Sequence, residues 1–130
     1  MMSIKQTILI VDDDEVVRDV LTMALEESYD VLKARDGLDA VYVYAEHFER
    51  VVAIITDVEM PRLNGLLLTE WVHHINPQLP VIIMTGGLRT IELNELLKNP
   101  TVSFLGKPFE PSQLETLLNH ALGKRIYEAA

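Results

Sequence analysis

Residues 8–15, ILIVDDDE, join four aliphatic side chains to four consecutive acids. An unbroken aliphatic run of this length is typical of a strand that is buried on both faces of a sheet. Asp14 and Glu15 are predicted to start a helix, because carboxylates stabilise the positive end of the helix dipole. A buried strand that is followed at once by a helix indicates a parallel α/β unit.

The same alternation of apolar strand and amphipathic helix continues along the chain. Strands are predicted at residues 8–11, 29–34, 51–56, 80–84 and 102–105, and helices at 16–25, 40–48, 67–75, 91–98 and 111–122. The pattern predicts an α/β fold, a doubly wound (βα)5 five-stranded parallel sheet in the flavodoxin-like strand order 2-1-3-4-5. The apolar residues of the first helix are predicted to fall on one helical face; they are Val16, Val17, Val20, Leu21, Ala24 and Leu25.

Length and composition narrow the class of protein. The 130 residues predict one domain over 1–130, with a core at about 7–122 and a tail at 123–130 that could extend the last helix. A net charge of −9 disfavours direct binding to nucleic acid or to anionic membranes. Cysteine is absent, which excludes disulfides and thiolate metal sites. No apolar run is long enough for a signal peptide or a membrane span, so a cytoplasmic location is expected.

Polar side chains follow four of the predicted strands at the point where each strand ends. They are Asp12 and Asp13 after the first strand, Asp57 and Glu59 after the third, Thr85 after the fourth and Lys107 after the fifth. Because the carboxyl ends of parallel strands meet at one edge of the sheet, we expect these side chains to converge there.

The carboxylates in this set predict a cation site. Two unpaired carboxylates about 4 Å apart repel by about 4 kcal/mol at an effective dielectric constant of ~20. No histidine or cysteine lies at these strand ends, so an oxygen-liganded divalent ion is indicated, and Mg²⁺ fits best. The histidines of the chain lack metal-binding spacing and are interpreted as solvated residues on helix surfaces; they are His47, His73, His74 and His120.

The other residues of the set suit phosphoryl chemistry. Asp57 is the best placed nucleophile, since carboxylates form aspartyl-phosphates. Thr85 could hydrogen-bond a phosphoryl oxygen, and Lys107 could pair with both a carboxylate and that group. Lys107 and Mg²⁺ together would spread the charge of the transition state. Each residue alone has an ordinary structural explanation, but their joint placement at one sheet edge favours a site.

With its motifs in this order, the sequence resembles a response-regulator receiver domain of two-component signalling, from Ile8 to about Leu122. The segments that carry the resemblance are Val11-Asp12-Asp13, Asp57-Val58-Glu59-Met60-Pro61 with Gly65 four residues after the proline, Met84-Thr85-Gly86, and Phe104-Leu105-Gly106-Lys107-Pro108-Phe109. Any one of these segments is a weak signal, whereas four in the right order, each after a strand, are specific.

The resemblance implies a role for each residue of the acidic cluster. Asp57 would be the phosphoacceptor. Asp13 would bind Mg²⁺ directly, Asp12 largely through water, and Asp57 and the backbone carbonyl of Glu59 would complete the ligands. The phosphoryl donor would be a sensor histidine kinase or a histidine phosphotransfer protein. The domain would accept and lose a phosphoryl group rather than act as a turnover enzyme.

The resemblance also implies a switch. Thr85 would contact the phosphoryl group and change rotamer, beside Gly86, whose small size allows phosphoryl access. Lys107 would pair with the phosphoryl group, and Phe104 occupies the position of the switch aromatic residue. The face formed by helix 4, strand 5 and helix 5 would then bind a downstream effector protein or domain, or a second phosphorylated copy. Pro61, Gly65 and Pro108 would be structural, with a cis bond between Lys107 and Pro108.

The sequence departs from the family pattern at two places. Asn99-Pro100-Thr101-Val102 leads into strand 5, where small residues, commonly Gly-Ala, are usual in the family, and Gly86-Gly87 follow Thr85, where alanine is common. The sequence is compatible both with a single-domain receiver and with a receiver from a hybrid kinase or a longer regulator.

A Mg²⁺-dependent phosphohydrolase with its nucleophile after strand 1 is one alternative. Asp12-Asp13-Asp14 supplies its acidic pattern, but Val16 stands where that pattern needs a hydroxyl. Turnover of a phosphomonoester would support it.

Two further alternatives share the fold. A flavin or nucleotide module needs backbone N–H groups that face a phosphate after strand 1, where this chain has acids. A receiver-like interaction module that works without phosphorylation remains open, although Asp57, the acidic pair and Lys107 are all present.

Overall fold

Strands and helices alternate strictly in the computed structural model, which describes residues 4–87 and 89–123. The strands are β1 (Thr7–Val11), β2 (Asp30–Ala34), β3 (Val51–Asp57), β4 (Val81–Thr85) and β5 (Val102–Gly106). The helices are α1 (Glu15–Leu25), α2 (Gly37–His47), α3 (Gly65–Ile75), α4 (Ile91–Leu96) and α5 (Pro111–Ala121). All strand pairs are parallel and the order is β2-β1-β3-β4-β5, which confirms the predicted fold class.

Each face of the sheet has its own core, because successive residues of a strand point to opposite faces. On β1, Leu9 and Val11 pack with side chains from α2, α3 and α4, whereas Ile8 and Ile10 pack with side chains from α1 and α5. All four are fully buried. Burial of one such aliphatic side chain contributes about 1.5–3 kcal/mol, so the central strands anchor the loops that follow them.

The helices start directly after the carboxyl ends of the strands. Asp14 is the N-cap of α1, and its Oδ1 accepts a hydrogen bond of 2.9 Å from the Val16 N–H, which confirms its predicted place. Asp36 caps α2 in the same way through the Asp39 N–H at 2.8 Å. At α5, Pro111 occupies the first turn, as predicted. The short loops place the predicted site residues at one edge of the sheet.

The outer half of the apolar stripe on α1 does not reach the core. Leu21 and Leu25 are buried, but Val16 and Val20 are 68% and 52% exposed, so the core covers only part of the predicted apolar face. The stripe is wider than the surface that the sheet and α5 can cover. Helical periodicity records which residues share a face, and it cannot tell a core contact from an exposed apolar surface.

His73 also differs from its predicted environment. It is half-buried, and its Nε2 lies 3.0 Å from the Leu79 carbonyl oxygen and 3.2 Å from the Thr101 hydroxyl. Since a carbonyl only accepts, Nε2 donates this hydrogen bond. The contact joins α3 to the loops before β4 and β5, which are distant in sequence, so no local pattern could predict it.

The predicted C-terminal ends of helices α4 and α5 have separate outcomes. Helix α4 ends at Leu96, two residues earlier than predicted. Helix α5 ends at Ala121, and Gly123 has a positive φ of 68°. The predicted continuation of the helix through 124–130 lies outside the described residues. Within the ranges that the structure describes, none of the helices has the length and apolar character needed to cross a membrane.

Candidate functional site

Three carboxylates meet at the carboxyl edge of the sheet. Asp12 follows β1 and Asp57 ends β3, which are neighbouring strands, and Asp13 lies beside them. One carboxylate oxygen from each falls within 4.8 Å of the others, and among residues 4–87 and 89–123 this is the acidic group gathered closely enough to hold a metal ion. Asp12 is buried, Asp57 is partly buried and Asp13 is exposed. The sequence therefore predicted this convergence correctly.

Asp12 is held rigidly at the floor of the cluster. Its Oδ1 accepts a hydrogen bond of 2.9 Å from the Asp14 N–H, and its carbonyl oxygen accepts one of 2.7 Å from Arg18 Nη1. Burial raises the pKa of Asp12, and the charge of Asp57 acts in the same direction. The Asp14 N–H and the Lys107 ammonium offset only part of this rise. Asp12 is thus a carboxylate whose negative charge is incompletely compensated.

Lys107 provides an ammonium between two of the acids. Its Nζ lies 3.0 Å from Asp57 Oδ2 and 3.4 Å from Asp12 Oδ2. Burial alone would lower the pKa of Lys107, but the hydrogen bond to Asp57 and the charge of Asp12 outweigh it, and the pKa is raised. The Lys107 N–H donates to the Thr85 carbonyl oxygen at 2.9 Å, and the bond to Pro108 is cis, as the resemblance implied.

Thr85 borders the site at the end of β4. Thr85 is buried, and its hydroxyl oxygen accepts a hydrogen bond of 3.0 Å from the Gly87 N–H. A Cβ added at Gly86 would lie 3.6 Å from the Lys107 Cβ, which is an ordinary contact. Gly86 is therefore small enough for access, but the space would also accept an alanine.

The loop between β3 and α3 closes the opposite side of the site. Asp13 lines a shallow cavity of about 550 Å³ with residues 58–61 and Asn64. The Gly65 N–H donates to the Val58 carbonyl oxygen at 2.9 Å, and a Cβ at Gly65 would overlap with the Asp57 carbonyl oxygen. Pro61 accepts a hydrogen bond of 2.8 Å from the Leu63 N–H. Gly65 and Pro61 thereby keep the segment that contains Glu59 next to Asp13.

Phe104 lies farther from the acids, half-buried on β5. The guanidinium carbon of Arg89 lies 5.7 Å from the centre of its ring. Together with Leu105 and α5, the ring borders an open groove of about 660 Å³. Phe104 thus occupies a place between the loop after β4 and the surface of α5, as a switch residue would require.

Two arginines near the site were not singled out from the sequence. Arg18 binds the backbone next to the acids, and Arg62, in the loop after β3, forms an ion pair of 2.7 Å with Asp36. The separation of 26 residues between Arg62 and Asp36 has no periodic signature. Only the sharing of one sheet edge by the two loops could have suggested it.

The donor set fits a hard divalent cation. In the described part of the chain, three carboxylates cluster and the Lys107 ammonium pairs with two of them, Asp12 and Asp57, so negative charge remains at the site. Carboxylate and carbonyl oxygens are the ligands that Mg²⁺ prefers, and it retains waters and binds phosphate oxygens. The groups that could hold it are the carboxylates of Asp12, Asp13 and Asp57 and the Glu59 carbonyl, and a cation there would compete with the Lys107 ammonium for Asp12 and Asp57.

Comparison with known proteins agrees with this geometry. Residues 8–119 match the family model described as response regulator receiver domain. Relatives include the DNA-binding transcriptional regulator NtrC of Azospirillum brasilense, 31% identical over 95% of this chain and 26% of that protein, and the response regulator MprA of Mycobacterium sp. (strain KMS), 34% identical over 82% of this chain and 46% of that protein.

A solved structure supports the same assignment. The chemotaxis protein CheY4 of Vibrio cholerae superimposes with a TM-score of 0.82 at 26% identity, covering 92% of this chain and all of that one. The chain spans less than half the length of the two curated relatives, so the match concerns one domain of those proteins. With the family matched along most of its length, the chain belongs to the response regulator receiver domains of two-component systems.

Proposed function

We propose that this receiver domain accepts a phosphoryl group on Asp57, in a Mg²⁺-dependent transfer from a phosphohistidine. The donor is a sensor histidine kinase or a histidine phosphotransfer protein. The observation that carries the proposal is the pairing of Asp57 Oδ2 with Lys107 Nζ at 3.0 Å, next to two further carboxylates, Asp12 and Asp13. This arrangement holds the nucleophile, a cation for the incoming anion and a set of metal ligands at one edge of the sheet.

The transfer balances with the groups at hand. An Asp57 carboxylate oxygen forms a bond to phosphorus while the P–N bond to the donor imidazole breaks; the electron pair returns to that imidazole nitrogen, which takes up a proton from solvent water. The Lys107 ammonium orients Asp57 and then pairs with a phosphoryl oxygen. The Thr85 hydroxyl donates to another oxygen after it leaves Gly87. When bound, Mg²⁺ supplies charge neutralisation for the transferred group.

We infer that the domain is a phosphoacceptor and not a turnover enzyme. The phosphoryl group stays on the chain as an acyl phosphate until water attacks phosphorus and regenerates the Asp57 carboxylate. A turnover enzyme releases its product and repeats the cycle, whereas here the phosphorylated chain is itself the signal. Multiple turnover of a phosphomonoester would contradict this part of the proposal.

The apolar surface of α1 provides a docking place for the donor. Val16 and Val20 are 68% and 52% exposed, and with Pro108 and Phe109 they border a groove of about 460 Å³ that reaches Lys107. A phosphohistidine must come within bonding distance of Asp57, so its protein has to touch this rim. An apolar helix face on the donor matches the groove.

The output surface is the face formed by α4, β5 and α5. Movement of the Thr85 hydroxyl towards a phosphoryl group breaks its bond to Gly87 and frees space for Phe104 to turn inward. A few charge-assisted hydrogen bonds of roughly 1.5–3 kcal/mol each approach the ~5.5 kcal/mol that is needed to drive a two-state element from 1:99 to 99:1. The changed face binds a downstream effector protein or domain, or a second phosphorylated copy. The proposal includes no direct binding to nucleic acid, and it places the domain in the cytoplasm.

Intact mass spectrometry tests the chemistry. Incubation with Mg²⁺ and a small acyl phosphate is expected to add one phosphoryl group, about 80 Da, to the wild-type chain. Asp57→Asn and chelation of the metal are each expected to abolish the added mass. Asp30→Asn is the matched control, since it removes an exposed carboxylate at the amino end of β2, away from the site. Wild-type addition in Asp57→Asn would overturn the assignment.

NMR spectroscopy tests the switch separately. On addition of Mg²⁺ and an unreactive phosphoryl mimic, backbone shifts are expected in residues 89–106 as well as around the acids. Shifts confined to the loops near Asp12, Asp57 and Lys107 would contradict the switch and leave the phosphorylation chemistry intact.

A further inference from the structure

We propose that Arg62 and Asp36 are a positioning pair for the candidate metal site, an inference that rests on the proposed function. The pair ties the loop between β3 and α3, which carries Glu59, to the amino end of α2. Through this tie it holds the Glu59 backbone carbonyl beside Asp13. Neither member of the pair is itself a ligand in the proposal.

The contact is specific and buried on one side. Arg62 donates from Nε and Nη2 to the same Asp36 oxygen, Oδ2, at 2.8 and 2.7 Å. The other oxygen, Oδ1, accepts from the Asp39 N–H at 2.8 Å. The Asp36 side chain is only 7% exposed. Both carboxylate oxygens are thus occupied, and the Arg62 fork has a fixed partner at the helix end.

The backbone of Arg62 argues that the contact constrains the loop. Arg62 has a φ of 68°, in the left-handed region that glycine prefers, and among the described residues it is the one non-glycine with a positive φ. Such a conformation persists only where the surroundings impose it. Two restraints are visible: the Leu63 N–H donates to the Pro61 carbonyl oxygen across Arg62 at 2.8 Å, a γ-turn in which the central φ is positive, and the ion pair fixes the Arg62 side chain.

A second contact beside the pair leaves the loop no freedom to slide. A Cβ added at Gly37 would overlap with the Leu63 carbonyl oxygen, so α2 and the loop touch backbone to backbone. The start of the loop is fixed at Val58, whose carbonyl oxygen accepts a hydrogen bond from the Gly65 N–H. Glu59 lies between these two fixed ends, and the Arg62 side chain ties the intervening turn to α2, so loss of the pair permits the Glu59 carbonyl to turn away from Asp13 while both ends stay in place.

Three substitutions separate a positioning role from a merely structural one. Asp36→Asn keeps an oxygen for the Asp39 N–H but breaks the charged contact. Arg62→Gly removes the same contact and relieves the positive φ, so its backbone is not strained. Arg62→Lys keeps the charge with a single donor. Lys33→Gln is the control, because it breaks an exposed 3.8 Å ion pair with Asp19 and changes the net charge by the same amount as Arg62→Gly.

The experiment is a Mg²⁺ titration of each variant of the 130-residue chain, followed by the backbone NMR signals of Asp13 and Glu59. We expect Asp36→Asn and Arg62→Gly each to raise the Mg²⁺ dissociation constant about fivefold, and the double variant no further, because the two residues act as one unit. Arg62→Lys is expected to recover part of the affinity. Lys33→Gln is expected to match the wild type.

Hydrogen exchange of the metal-free chain gives an independent measurement. Loss of the pair is expected to speed exchange at the Gly65 amide, which bonds within the loop, in both single variants. Unchanged Mg²⁺ affinity in folded Asp36→Asn and Arg62→Gly would overturn this inference alone. A wild-type chain that binds no Mg²⁺ would overturn the proposed function and this inference with it, so the two failures are distinguishable.

Discussion

Asp12 and Asp36 follow the first two strands of the sheet, and both are almost completely buried with a cationic side chain paired to the carboxylate. Their pKa values nevertheless move in opposite directions. Burial raises the pKa of Asp12, and Lys107 does not compensate for it because that ammonium is shared with Asp57. Burial would also raise the pKa of Asp36, but the Asp39 N–H and the Arg62 guanidinium outweigh it and the pKa is lowered.

The difference separates a carboxylate that stabilises the fold from one that is available for chemistry. Each oxygen of both carboxylates has a partner, but Arg62 makes two close contacts with Asp36, at 2.8 and 2.7 Å, whereas the single contact of Lys107 with Asp12 is 3.4 Å long, so the charge of Asp36 is the better compensated. Asp12 lies in a cluster with more negative than positive charge, so the folded chain carries a strain that a cation relieves. Perturbed groups of this second kind are typical of functional sites.

Loss of the Asp36 charge should give the largest change in stability. We expect Asp36→Asn to lower the free energy of unfolding by about 1–3 kcal/mol at neutral pH, because a buried hydrogen bond to a charged group is lost. Urea unfolding measures it. Unchanged stability would mean that Arg62 does not satisfy Asp36, and the contrast with Asp12 would fail.

The loss of stability in Asp36→Asn depends on pH in the direction that the lowered pKa of Asp36 sets. The folded pKa of Asp36 is below its usual value of 3.8, so its contribution is fully present above that pH and disappears as the pH falls through the folded value. The gap between wild type and Asp36→Asn should therefore stay constant above about pH 5 and narrow in stronger acid. A gap that widens in acid would contradict the lowered pKa.

Substitution of Asp13, a metal ligand in the proposed function, should give a smaller effect, on Mg²⁺ binding and not on folding. Asp13→Asn is expected to weaken Mg²⁺ binding about tenfold, which corresponds to about 1.4 kcal/mol, since a charged ligand of a hard cation is lost. Asp14→Ser removes a neighbouring charge but preserves the N-cap, and should weaken binding much less. A larger loss in Asp14→Ser, measured by calorimetry, would reverse the two assignments.

Neutralisation of Asp12 should change the free energy of unfolding in the opposite direction to neutralisation of Asp36. In the absence of metal, Asp12→Asn is expected to stabilise the chain by about 1 kcal/mol, because it removes a buried like charge. Its amide oxygen can still accept from the Asp14 N–H. The midpoint of thermal unfolding should rise by about 3–6 °C at neutral pH, and a fall would show that Asp12 is as well satisfied as Asp36.

The smallest effect on stability is expected from a substitution at Gly86, which lies beside Lys107. Gly86→Ala should change the free energy of unfolding by less than about 0.5 kcal/mol, because the added Cβ meets only an ordinary contact. The phosphorylation rate should be unchanged. A large loss of either would mean that Gly86 serves the site through its backbone freedom and not through its size.

The sequence could predict the fold and the acidic cluster for one physical reason. Strand periodicity is local, and parallel strands bring their carboxyl ends together, so Asp12, Asp57 and Lys107 had to converge. The Arg62–Asp36 pair and the His73 contacts depend on how loops meet in three dimensions, and no local pattern records them. Val16 and Val20 show a further limit, because an apolar stripe has the same spacing whether it faces the core or a partner.

The most direct test of the account is to locate the modified residue. After incubation with Mg²⁺ and a small acyl phosphate, reduction with borohydride converts an acyl phosphate into an alcohol, and peptide mass mapping identifies the side chain. The account predicts the change at Asp57, dependent on Mg²⁺, with Asp12, Asp13 and Asp36 unmodified. Modification at another carboxylate, or at Asp57 to the same extent without metal, would contradict it.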